Sequence, residues 1–192
     1  MVKIINPSND TVKHIVRKGN IFGELSIYDK KAASQEAAFA LEDSIICYIE
    51  SNLMEELMEK HNSLKNGLLK IYRLRICKLE TRLQDLLHKD SGTRISEYII
   101  AYINEFGTIK ADRIEAKNLL SHKDIANLTN TSRQTVSNVL SRMRKVGVIS
   151  YDTNYISVSK TEGWYLSTLS IKDTYNMSPV THLLIVHFFD IY

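Results

Sequence analysis

The chain has 192 residues, of which 44% are hydrophobic and 24% charged, an ordinary globular composition of one domain or two small ones. Two Pro and seven Gly leave few breakers, which favours a helix-rich fold over a many-stranded sandwich. Cys47 and Cys77 are too few for a disulfide scaffold or a four-thiolate cluster. Apolar runs such as Leu183 to Val186 are far too short for a bilayer, and Met1-Val-Lys-Ile-Ile-Asn has no secretory pattern. No membrane association and a cytoplasmic location are expected.

The formal net charge is +3, too small to indicate a polyanionic partner by itself. Its distribution is uneven. Between Lys117 and Ile149 stand Lys117, Lys123, Arg133, Arg142, Arg144 and Lys145 against Asp124 alone, so this stretch carries +5 and the remainder −2. A local basic patch is what a phosphate backbone requires, and it is equally what a solvated helical face looks like.

From Met1 to about Glu50, β-branched runs (Val-Lys-Ile-Ile, Val-Lys-His-Ile-Val and Ser-Ile-Ile-Cys-Tyr-Ile) alternate with turn-forming clusters, which predicts short strands joined by turns. Cys47 falls in the last of these strands and Cys77 on a helix, where each is expected to act as a small buried hydrophobe. Around Ser51 the period changes: Leu53, Leu57, Met54 and Met58 are spaced by four, a short helix that Asn62 could end. From Ser63 to His88 a long helix follows. Its residues Leu69, Tyr72, Ile76, Leu79, Leu83 and Leu86 step by three and four, a heptad seam of about 26 Å at 1.5 Å per residue. Leu64, Leu68 and Ile71 form a second stripe. A seam this short serves either a core contact or a partner helix, and the spacing leaves both open.

Asp90-Ser91-Gly92 breaks this helix, with Asp90 as hinge or N-cap. The next helix, Thr93 to Phe106, carries Ile95, Tyr98, Ile99, Tyr102 and Ile103 on one face. Gly107 to Lys117 reads as a polar linker. Ser121-His-Lys-Asp124 then has capping-box form and opens a short helix with Ile125, Ala126 and Leu128 inward. Thr129-Asn130-Thr131 is a polar turn, and Ser132 caps a second helix. There Val136, Val139, Leu140 and Met143 form a core-facing stripe, with Arg133, Gln134, Ser137, Asn138, Ser141 and Lys145 opposite. Gly147 is placed to end it. Val148 to Tyr151 and Tyr155 to Val158 alternate around a turn, a two-stranded wing.

A short helix, a tight turn and a longer helix with an apolar back form the helix-turn-helix pattern. The second helix fits a major groove, where Arg forks onto guanine and Gln or Asn onto adenine, while flanking cations neutralise phosphates. An ordinary helical hairpin shares the spacing but has no need of both caps, the polar outer face, the wing and the basic charge together.

Lys18-Gly-Asn-Ile-Phe-Gly-Glu-Leu25 resembles the Gly-Glu-Leu turn of the cyclic-nucleotide-binding β-roll. Thr131-Ser-Arg-Gln-Thr-Val-Ser137 resembles the recognition helix of the catabolite activator/fumarate-nitrate (CRP/FNR) regulators. The order of roll, long helix, Asp hinge and winged helix-turn-helix is similar to that family from Met1 to about Ser159. The resemblance implies an α+β chain: a partial β-roll sensor domain over 1–50, a short helix plus a long dimerisation helix over 51–90, and a winged helix-turn-helix over 91–160. A tail, 161–192, has no assigned role. It implies a homodimer on double-stranded DNA, with the six-residue seam as the interface and RNA polymerase a candidate further partner. The catabolite activator is itself a standard illustration of this docking and of DNA bending.

Residue by residue, the resemblance makes Arg133, Gln134 and Asn138 base contacts, and Ser132, Thr135, Lys123 and Arg142 phosphate contacts. Gln134 stands where the catabolite activator has Glu, and it favours an adenine edge. Asn138 replaces a contact that is usually Arg. Gly23 and Glu24 are what remains of the effector turn. In cyclic-AMP-binding members an Arg-Ser pair grips the phosphate. The equivalent stretch here, Ala33-Ser-Gln-Glu-Ala37, has no Arg, and the adenine-contacting Thr and Ser align with Leu79 and Glu80, so cyclic-nucleotide binding is not expected.

Neither cofactor nor metal is expected, since His182 and His187 have no acidic partner. No nucleophile, metalloprotease or phosphate-loop motif occurs, so an enzyme is not expected. The family's roll starts with a helix and further strands before the position of Met1. About half of it is therefore expected to be missing and the remaining strands to have open edges, in a fragment or in a product with a late start. Thr161 to Tyr192 is either a docking segment or out-of-frame coding. The alternative to a regulator is a protein-interaction module that retains the helix-turn-helix without productive DNA binding.

Overall fold

The computed structural model describes residues 1–27 and 35–159. Ala33, Ser34, the apolar run from Leu183, and His182 and His187 lie outside them. The chain divides into two compact units, the first made of Met1–Val16 and Asn20–Arg94 and the second of Arg17–Gly19 and the chain from Ile95 onward.

In the first unit, β1 (Val2–Asn6) lies between β2 (Thr11–Val16) and β3 (Ala37–Ala40), both antiparallel to it. Ile4 faces His14 and Ile5 faces Val12, so Lys13 is an extra residue bulged out of the β2 ladder. Val2, Ile4 and Val16 are buried together, with Phe22 against them. The strand expected at Ser44–Ile49 is not one: residues 43–50 adopt no regular structure, with Ile45 97% and Tyr48 88% exposed. A β-branched run becomes a strand only where a ladder edge is available to it. Here the edge of β1 is taken by Ala37–Ala40, a run whose own strand propensity is poor. The Leu41 N–H donates to the Met1 carbonyl at 3.0 Å, so the chain is held at that edge before the apolar run begins. Cys47 is accordingly exposed rather than buried, while Cys77 is half-buried.

Two helices complete this unit, α1 (Ser51–Lys60) and α2 (Asn62–His88). Asn62 does not end the first of them. His61, with an extended backbone, breaks the helix and Asn62 opens the next. Met58 and Leu68 bury against Ile27, with Met54, Leu64 and Tyr72 around them, which puts Leu64 and Leu68 of the second stripe on the core.

Asp90 starts α3 (Ser91–Phe106), two residues earlier than the spacing suggested. Its Oδ1 accepts from the N–H groups of Gly92 (2.7 Å) and Thr93 (3.0 Å), and its Oδ2 from the Thr93 hydroxyl (2.7 Å). These bonds, the Thr93 hydroxyl first, hold the exposed Asp90 carboxyl below the usual carboxylate range. Ile95, Ile99, Ile100, Tyr102 and Ile103 are buried along α3, each worth about 1.5–3 kcal/mol of apolar burial.

The stretch Gly107 to Lys117 is a hairpin, not a linker: β4 (Thr108–Lys110) and β5 (Arg113–Lys117) pair across a turn in which Ala111 takes a positive φ of 41°. Gly107 is required before it. A Cβ there would run into the Ile103 carbonyl oxygen and stand 2.7 Å from Ile114 Cγ2. Next come α4 (His122–Thr129), α5 (Arg133–Lys145), β6 (Ile149–Tyr151) and β7 (Tyr155–Ser159). The predicted two-stranded wing is the outer half of a four-stranded antiparallel sheet, ordered β4-β5-β7-β6. Among the described residues no helix is long and apolar enough to cross a membrane.

Candidate nucleic-acid interface

Both caps of the helix pair are in place. Ser121 Oγ accepts from the Asp124 N–H at 3.1 Å, and the Asp124 carboxylate accepts from the Ser121 N–H at 3.0 Å and from its hydroxyl at 2.7 Å. That reciprocity stabilises the first turn of α4, and it uses a buried acid where the helix end is positive. Asn130, left-handed at φ 51°, closes α4, and the Thr129 hydroxyl donates to the Ile125 carbonyl at 2.7 Å. Ser132 then caps α5, its Oγ accepting from the Thr135 N–H at 3.0 Å.

The back of α5 is buried through Val136, Leu140 and Met143, with Val139 half-buried. Arg133, Gln134, Asn138, Ser141 and Arg142 are exposed on it, whereas Ser137 and Thr135 are half-buried. The Gln134 amide donates to Asn138 Oδ1 at 3.2 Å, so the two amides stand side by side one turn apart. Lys123 is exposed on the neighbouring helix. Along α5 the exposed Arg133, Gln134, Asn138, Ser141 and Arg142 recur at helical spacing opposite the buried Val136, Leu140 and Met143. Gly147, at φ 81°, turns the chain out of α5 toward the wing.

Charge along α5 is informative. It contains no acid, and Arg142, Arg144 and Lys145 lie in its last turn, where the helix's own negative end welcomes cations. Arg133 has no such local reason. It sits in the first turn, where the helix end is positive and a cation is disfavoured, and among the described residues no carboxylate pairs with it. A guanidinium held there suits a partner outside the chain.

The wing is tied down by Asp152, whose Oδ1 accepts from the N–H groups of Tyr155 (2.8 Å) and Asn154 (2.7 Å); those bonds lower its pKa. Arg144 lies over the Tyr151 ring, 5.2 Å from its centre, and so links the end of α5 to β6. Lys110 lies over Tyr155 at 5.3 Å and pairs with Glu115, which together raise its pKa, the Glu115 bond foremost.

At the Gly23–Glu24 turn of the first unit the structure shows a partnership the residues alone did not reveal. Gly23 takes φ 78°, and the buried Glu24 carboxylate is gripped by the Arg75 fork of α2, at 2.7 Å from Nη1 and 3.0 Å from Nη2. The Tyr72 hydroxyl donates to the Glu24 carbonyl at 3.0 Å. Tyr72 is thus turned onto its own unit. Of the other seam positions Leu69, Ile76, Leu79 and Leu83 are 55–64% exposed and Leu86 half-buried; Leu87, 68% exposed, extends the same surface. The partnership of Arg75 with Glu24 went unseen because charged residues 51 positions apart carry no local signal. Glu36 pairs with Lys13 at 3.2 Å.

Residues 93–163 match the Crp-like helix-turn-helix domain. The chain is 26% identical over 150 residues to the anaerobic regulatory protein of Bacillus subtilis, covering 78% of this chain and 63% of that one. It is 26% identical over 147 residues to the global nitrogen regulator of Synechocystis, covering 75% and 64%. To the CRP-like cAMP-activated global transcriptional regulator of Mycobacterium tuberculosis it is 23% identical over 148 residues, covering 77% and 66%. The chain thus spans a little under two thirds of the length of these relatives. In fold it is similar to a transcriptional regulator of the CRP family from Thermus thermophilus, with a TM-score of 0.67 at 18% identity over 87% of this chain and 82% of that one. A variant of CooA from Carboxydothermus hydrogenoformans gives 0.66 at 21% identity over 88% and 74%. These likenesses establish a cyclic-nucleotide-binding type of fold followed by a helix-turn-helix.

Proposed function

We propose that the chain is a transcription regulator of the CRP/FNR type that binds DNA sequence-specifically as a homodimer on a near-palindromic operator, a reading supported by the Crp-like helix-turn-helix match and by the regulators it is similar to. The observation that carries this reading is the outer face of α5: Arg133 in the first turn with no carboxylate partner among the described residues, Gln134 and Asn138 exposed on the same helix, and no acid on it. Thirteen residues make a rod of about 20 Å, which lies in a major groove about 12 Å wide. Arg133 is assigned to a guanine, Gln134 to an adenine edge, and Asn138 to a neighbouring base. Ser132, Thr135, Lys123 and Arg142 are assigned to phosphates. The seam of α2 is assigned to the second copy, which would cover apolar side chains that are otherwise in water. RNA polymerase is the further partner of this reading, and a cyclic nucleotide is not assigned to the roll, because Glu24 is occupied by Arg75.

The test is selection of binding sites from randomised duplexes at two salt concentrations, with Arg133→Ala alongside. The expected site is two-fold symmetric with half-site centres about 34 Å apart, and affinity falls as salt rises. Arg133→Ala should cost about 1–3 kcal/mol and relax preference at one base pair per half-site. Weak, unselective binding that Arg133→Ala leaves unchanged would overturn this reading in favour of an interaction module.

A further inference from the structure

We propose that His122 is a proton-dependent phosphate contact that makes operator affinity rise as pH falls, an inference that rests on the DNA-binding reading above. His122 is the first residue of α4, and its Nδ1 lies 2.8 Å from Ser137 Oγ on α5. The Ser137 hydroxyl in turn donates to the Arg133 carbonyl at 3.1 Å. A hydroxyl has a single proton. Of the two tautomers that the 2.8 Å contact admits, the one with its hydrogen on Nδ1 lets the Ser137 hydroxyl keep its bond to the Arg133 carbonyl, and it is the one proposed here. In the neutral ring Nε2 is then a bare lone pair. It makes no hydrogen bond among the described residues and is not one of the polar atoms sealed from water.

The ring is half-buried, bonded to the half-buried Ser137 of α5, and Lys123, the next residue of α4, is exposed. A lone pair repels a phosphate oxygen, whereas a protonated Nε2 donates a charge-assisted hydrogen bond to it. Protonation leaves the Nδ1 bond to Ser137 intact, so the helix pair keeps its geometry while the surface gains a cation. Phosphate contact and proton uptake are therefore one event.

The ionisable groups around the ring do not supply that anion from within. Asp124 on α4 is committed to Ser121, and Lys123 and Arg133 are cations. Across the cavity that His122 lines, Tyr102 of α3 gives its hydroxyl to the Lys117 carbonyl at 2.7 Å, and Tyr151 of β6 carries Arg144 on its ring.

The experiment measures affinity for the duplex selected by the wild-type chain, from pH 8 to 5.5 at fixed ionic strength, for wild type, His122→Gln, His122→Lys and Ser137→Ala, each checked for an unchanged thermal melt. Wild type should tighten by about tenfold per half-site on acidification, the worth of one charge-assisted bond, with a steeper salt slope by about 0.9 per half-site. His122→Gln should be flat with pH, and His122→Lys flat but as tight at pH 8 as wild type at low pH. Ser137→Ala removes the bond that fixes the tautomer, so its pH profile should flatten as well. A wild type that is flat, or a His122→Gln variant that keeps the wild-type profile, overturns the proposal and leaves DNA binding standing. Failure to bind any selected duplex at every pH removes the DNA-binding reading itself, and this proposal with it.

Discussion

At the scale of single residues, the DNA-binding unit depends on side chains that satisfy backbone groups no helix can satisfy for itself. Ser121 and Asp124 exchange bonds across the first turn of α4, and Ser132 does the same one-sidedly for α5. Ser121→Ala should therefore lower stability by about 1 kcal/mol, read as a shift in urea midpoint with unchanged slope. Its effect on DNA affinity should be larger than its distance from the groove suggests, because His122 and Lys123 follow it directly. An unchanged midpoint would mean that the reciprocal bond from Asp124 is dispensable. The caps were legible in the residues because a cap needs only neighbours three positions apart. The His122–Ser137 bond was not, since it spans two helices whose packing sets which side chains meet.

At the scale of elements, α2 has two distinct faces. Leu64, Leu68 and Tyr72 go to its own unit, while Leu69, Ile76, Leu79, Leu83 and Leu87 remain more than half exposed. Replacing Leu79 and Leu83 together by Asp should convert a dimer to a monomer in sedimentation at micromolar concentration. Each buried Leu is worth about 1.5–3 kcal/mol, and the single-chain fold, in which neither is buried, should melt as before. A double variant that still sediments as a dimer would place the interface elsewhere. The heptad was readable, because periodicity is local. The hairpin of β4 and β5 was missed for the opposite reason. Its one apolar side chain in β4 and two in β5 are too few to register as alternation, and its strand character comes from pairing with β7. The run at Ile45–Ile49 shows the converse, a sequence with every local mark of a strand and no ladder among the described residues.

At the scale of the whole molecule, the pH dependence of stability comes from groups other than those assigned to DNA. Burial, and then the Arg75 charge, push His14 down from 6.5 to about 4. A base whose folded pKa lies below its unfolded value binds fewer protons when folded, so its contribution is intact above about pH 6.5 and is lost as pH falls toward about 4. Asp90 and Asp152, both lowered, act in the same direction: the stability they add is present above the unfolded carboxylate range and disappears in acid. The first unit should thus lose stability between pH 6.5 and 4, and His14→Leu should flatten that stretch of the profile in melts followed by circular dichroism. A variant whose melting profile still falls as steeply would show that His14 is not the group responsible. Basic charge, by contrast, is concentrated locally between Lys117 and Ile149, which is where a salt-dependent partner would be met.

The residues alone determined the helix pair with its caps, the polar outer face of α5, the wing turn at Asp152 and the heptad on α2, since each is written in spacings of two to seven positions along one element. Tertiary structure decided what depends on distant neighbours. It gave the edge of β1 to an alanine run instead of the β-branched segment, joined the wing to a hairpin as a four-stranded sheet, closed Arg75 on Glu24, and set His122 against Ser137. In each case the deciding free energy is that of a ladder edge or a buried charge finding its partner, and that partner is chosen by packing rather than by proximity in the chain.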